Sequence, residues 1–123
     1  MPRAHVDVVL ADMRRLLQRL AGPHVDLVIE SEQGLPAVRF NAAVLRQMLV
    51  ELVRASGEAM PDGGRIAVRA SAGETNVELS VTPGAVSELA TVVGLAVPNG
   101  ADVHVQPADG GGSKLSIYLP VWA

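Results

Sequence analysis

The chain has 123 residues, 49% of them apolar, a net charge of −3 and no cysteine. That length holds one core and not two. The ten basic residues form no stripe that would answer nucleic-acid phosphates, and the lack of cysteine excludes disulfides, thiolate metal sites and cysteine nucleophiles.

No apolar run reaches the roughly 18 residues of a membrane span. The N-terminus, MPRAHVDVVLADMRR, is interrupted by charge and is no signal peptide. With the missing cysteine, this fits a cytoplasmic location. One Phe, one Tyr and one Trp leave an aliphatic core.

Residues 6–21, VDVVLADMRRLLQRLA, predict an amphipathic helix. Val6, Val9, Leu10, Met13, Leu16, Leu17 and Leu20 form its apolar stripe, and Gly22-Pro23 ends it. Alternation over 24–31 predicts a strand with Val25, Leu27 and Ile29 on one face. After a turn at Gln33-Gly34 comes a short extended piece, 36–40.

Asn41 reads as the N-cap of a second helix, about 42–60. Val44, Leu45, Met48, Leu52, Ala55 and Ala59 make its buried stripe. Pro61-Asp62-Gly63-Gly64 stops it. Strands at 65–71 and 76–82 form a hairpin through Ala72-Gly73-Glu74-Thr75. Past Pro83-Gly84, AVSELATVVGLAV predicts a third helix, about 85–97. Strands at 101–107 and 114–119 close the chain around the loop 108–112. The expected fold class is α/β: one domain over 1–123, a two-layer sandwich of a mixed, mainly antiparallel sheet and about three helices.

Five pieces in this order resemble the ATP-binding domain of sensor histidine kinases, in the superfamily of DNA gyrase and Hsp-type chaperones. VDVVLADMRRLL is similar to the opening helix, and LPAVRFNAAVLRQMLVELV to the approach into the second. EAMPDGGRIAVRA is similar to that helix's end, turn and following strand. LATVVGLAVPNGADVHV and GGSKLSIYLP are similar to the last helix and closing strands.

The resemblance implies site residues, and most are altered. The helix asparagine that holds Mg²⁺ falls on Ala55, which has no oxygen ligand for a hard cation. One turn earlier, the position of a general-base glutamate in the hydrolysing relatives falls on Glu51. The Asp-x-Gly-x-Gly box, whose Asp accepts from the adenine amino group, is replaced by Thr82-Pro83-Gly84. No room remains for an ATP lid before Leu89. Val86, Ser87 and Glu88 stand where phosphate-approaching glycines would be. Gly112-Ser113 is a remnant of the closing strand. Glu51, Ala55, Glu58, Pro83, Gly84 and Gly112 are therefore expected to mark a vestigial pocket, with no bound cofactor, no metal and no catalytic residue.

Glu51, Arg54 and Glu58, at i, i+3 and i+7, also read as an intrahelical ion ladder. His5, His24 and His104 are each followed by valine, not by the acidic residue that follows a phosphoacceptor histidine. His24 and His104 fall at or within predicted strands. Gly110-Gly111-Gly112 precedes no helix, so a hairpin turn outranks a phosphate loop. On the third helix, Val86, Leu89, Val92 and Val93 are either core or an apolar face left uncovered by the missing lid.

The function expected is a non-catalytic, pseudo-ATPase module that recognises a kinase, a response regulator or a phosphotransfer protein in bacterial two-component or phosphorelay signalling. A divergent kinase or ATPase domain that still binds ATP is one alternative. A homo-oligomeric structural domain is another. Neither nucleic acid nor membrane is expected as a partner.

Overall fold

The computed structural model describes residues 2–122. The elements are α1 (Val6–Ala21), β1 (Val25–Ser31), α2 (Ala42–Glu58), β2 (Gly64–Ala72), β3 (Asn76–Thr82), α3 (Leu89–Ala96), β4 (Asp102–Pro107) and β5 (Ser113–Pro120). The five strands form one sheet in the order β1-β2-β3-β5-β4. Only β1 and β2 are parallel, joined by the α2 crossover. The other three pairs are antiparallel. The chain is thus the mixed α/β sandwich expected.

Strand alternation sorts the two faces of the sheet. Ile66, Val68, Val77, Leu79, Leu115, Ile117 and Leu119 are fully buried in the core with the helices. The opposite face is wet and laced with ion pairs: Arg65–Asp26 at 3.3 Å, Arg69–Glu30 at 3.2 Å and Lys114–Glu78 at 3.2 Å.

Two expectations need correction. Leu16 and Leu20 do not complete the α1 stripe: Leu16 is exposed and Leu20 only half-buried, while Ala21 is buried. On α2, Ala59 is exposed and Val44 half-buried, but Leu49, Val53, Ser56 and Gly57 are buried as well. The helix packs against α1 on one side and α3 on the other, so one stripe could not describe it. The 36–40 piece pairs at a single residue. Val38 alone bridges Ala4 and Val121.

The third helix is broken. A 3₁₀ turn at Val86–Glu88 precedes α3, and another at Val97–Asn99 follows it. Pro98 lacks the N–H a continuing α-helix needs, and Gly100 takes φ +95° to turn the chain into β4.

The wet face carries one perturbed carboxylate. Burial pushes the Glu78 carboxyl up, but a hydrogen bond donated by Ser116 Oγ at 2.7 Å and the Lys114 ammonium outweigh it and hold Glu78 below its ordinary 4.5. A depressed folded pKa stabilises above the unfolded value and is lost as pH falls through the folded one. Glu78→Gln should therefore lower the urea midpoint at neutral pH. It should also lose less of that midpoint than the parent when both are acidified below about pH 4.5.

Candidate functional site

Helix α2 starts at a well-made cap: Asn41 Oδ1 accepts from the N–H groups of Ala43 at 2.8 Å and Val44 at 3.3 Å. From this cap the helix runs with Glu51, Arg54 and Glu58 outside the core and Ala55 and Ser56 buried. Arg54 donates to Glu51 Oε2 and to Glu58 Oε1, both at 2.9 Å. The hydrogen bond to Glu51, then that to Glu58, and both charges hold its pKa above the ordinary guanidinium value. Glu88 comes to 4.0 Å from the same guanidinium, so the ladder reaches off its own helix to the turn ahead of α3.

The last turns of α2 also meet the end of β3. Ser56 Oγ donates to the Pro83 carbonyl at 3.0 Å. Gly84 N–H donates to Ser113 O at 2.6 Å. A Cβ on Gly84 would sit 2.6 Å from Leu115 Cβ and 3.0 Å from its backbone nitrogen, so the glycine is required by close packing on β5. Gly112 stands beside Pro83, where an added Cβ would be 3.4 Å from Pro83 Cβ. Pro83, Gly84 and Gly112 therefore lie together, with α2 tied to them through Ser56.

A Mg²⁺ ion does not fit these residues. Ala55 offers a methyl group and is buried. Glu51, Glu58 and Glu88 surround a guanidinium rather than a vacancy. Among the described residues no group of three or more His, Cys, Asp or Glu could hold a metal ion.

The apolar candidates on the third helix divide. Val92 is fully buried with Ala96 one turn on, and belongs to the core. Leu89 is half-buried against that core. Val86 is 48% and Val93 37% exposed, and Val97, at 52%, extends the exposed row. Helical spacing explains the split: 92 and 96 form the row facing inward, 93 and 97 the next row out.

His24 lies in the turn before β1, not in a strand, and His5 caps α1 without a side-chain bond. His104, on β4, packs edge-on to Tyr118 with centroids 5.0 Å apart. Gly110, Gly111 and Gly112 all have positive φ, as a tight hairpin turn requires. The Glu88 contact and the Ser56–Pro83 bond escaped sequence reasoning. Nothing local to either residue signals a partner 34 or 27 positions away.

No family model matches the chain. Solved structures do. The mycobacterial sensor histidine kinase MprB superimposes with a TM-score of 0.78 at 16% identity, over 98% of each chain. The ATP-binding domain of PrrB from Mycobacterium tuberculosis gives 0.76 at 18% identity, over 98% of this chain and 97% of that one. Full-length ShkA in complex with AMPPNP gives 0.73 at 21%, over all of this chain and 32% of that one.

The chain has the fold of histidine kinase ATP-binding domains.

In sequence, 61 residues, half of this chain, are 39% identical to the sensor kinase CckA of Brucella abortus, of which they span 6%. These likenesses overturn the expectation of a non-enzyme. The similar proteins are kinases and kinase catalytic domains, and they point to a kinase-type domain. In the histidine-kinase fold of this chain, an ion cluster on Arg54 and a glycine packed on β5 stand where the resemblance placed metal and adenine contacts.

Proposed function

We propose that this chain works as a histidine-kinase-type domain of bacterial two-component signalling, engaging a response regulator, a kinase or a phosphotransfer protein. The likeness to a sensor kinase over half the chain carries the reading, and the shared fold supports it. Among the described residues no helix is long and apolar enough to cross a membrane.

The likeness in fold to the ATP-binding domain of PrrB and to AMPPNP-bound ShkA favours ATP as a ligand near Glu51, Gly84 and Gly112, at an affinity lowered by the missing contacts. Protein recognition falls to the exposed row Val86, Val93 and Val97, where apolar surface is otherwise unaccounted for. The test is an amide-shift titration of the labelled chain with a receiver domain, and separately with a histidine-bearing helical hairpin. Shifts should cluster on Val86, Leu89, Val93 and Val97, and Val93→Asp should weaken them. Spectra unchanged by either protein and by ATP would retire the reading.

A further inference from the structure

We infer that the outer edge of β4 is a self-pairing surface, on which a second copy of this chain adds its own β4 antiparallel to make a continuous ten-stranded sheet. The inference does not rest on the signalling role, although both draw on the exposed Val93 and Val97.

Among the described residues no strand pairs with the outer side of β4, the last strand in the order β1-β2-β3-β5-β4. Protected edges carry charge, bulges or proline within the strand. β4 spans Asp102–Pro107, and its one charge and its proline lie at its two ends, leaving Val103-His104-Val105-Gln106 uncharged between them. Its six residues pair with β5 in unbroken register.

The opposite edge shows the contrast. A two-fold pairing of β1 centred on Val28 would set Asp26 opposite the Glu30 of the other copy, twice, and like charges directly opposed repel. The same operation on β4, centred on His104, sets Val103 opposite Val105 and Asp102 opposite Gln106. No like charges meet. Pro107, with no N–H to give, falls outside the ladder.

Side chains opposite one another in an antiparallel pair share a face, so this register also keeps the apolar side in phase. Val105 shares its face with Val103 and the inward Leu115 and Ile117 of β5, yet is 40% exposed. Val93 on the neighbouring α3 and Val97 in the turn after it are exposed too. A two-fold axis normal to the sheet brings both helical layers to one side of the seam, so the second copy covers the flank as well as the backbone edge.

A five-residue seam, Asp102 to Gln106, is smaller than the interfaces of tight dimers, so association should be concentration-dependent. The whole chain in sedimentation equilibrium should pass from monomer towards dimer as concentration rises to about 1 mM. Val105→Lys should keep it monomeric. Val8→Lys, on an exposed valine of α1, should not change association.

The absence of cysteine makes the register directly testable. Opposed residues have Cα atoms about 4.5–5.5 Å apart, within disulfide reach. His104→Cys sits on the axis and should cross-link to its copy under oxidised glutathione. Gln106→Cys, about 14 Å from its copy in this register, should not. A monomer throughout the range, or equal cross-linking of the two cysteine variants, overturns the inference.

Discussion

ATP should shift the amides of Glu51, Gly84 and Gly112 equally with Mg²⁺ and with EDTA, without saturating below about 1 mM. Both halves follow from the residues around Arg54. A hard cation binds through oxygen, and position 55 offers a buried methyl group. The three neighbouring carboxylates lie around the guanidinium, two of them at 2.9 Å. The adenine side lacks an acidic acceptor, since β3 runs into Pro83, whose carbonyl already accepts from Ser56.

Each lost charge-assisted contact costs about 1.5–3 kcal/mol, so two together weaken binding roughly 10²–10⁴-fold. Glu88 adds a negative charge at the start of α3. A micromolar, EDTA-sensitive titration would show a metal site made by other residues, and the account of Ala55 would fall.

Gly57→Ala should destabilise the fold by about 1–3 kcal/mol, although alanine is the better helix former. The added Cβ would overlap the Ala21 carbonyl oxygen and approach Ala21 C and Cα to 2.8 and 2.9 Å. These are backbone atoms at the buried end of α1, so no rotamer change relieves the clash. The helices would have to part over a core that includes Leu17, Leu49 and Val53.

Thermal melting should report it, at roughly 3–6 °C per kcal/mol for a domain of this size. Gly94→Ala is the matched control. It lies on exposed α3 with nothing within 4 Å of an added Cβ, and should stabilise by about 0.5–1 kcal/mol. If both variants move the melting temperature alike, close approach is not the reason for Gly57.

Much of the fold was legible because its signals are local. Period-3.6 stripes placed α1 and α2, alternation placed β1, the turn Ala72-Gly73-Glu74-Thr75 placed the β2–β3 hairpin, and Asn41 marked a helix start that its side chain indeed caps. The third helix misled because an almost wholly apolar run carries no phase. Its break after Ala96 comes at Pro98, which has no N–H for a continuing helix. In the candidate site, Glu51–Arg54–Glu58 was legible as an ion ladder.

By itself, then, the sequence determined the α/β class, the element order, the missing oxygen at Ala55 and the absence of thiol chemistry. These depend on residue type and short spacing. Only the tertiary structure decided that α2 is buried on two sides, that Gly57 and Gly84 are set by packing, and that Val92 is core while Val93 is not. It alone placed β4, uncharged between its two ends, at the sheet edge. Each of those facts depends on which distant segment lies alongside, and neither the periodicity nor the composition of a segment encodes its neighbour.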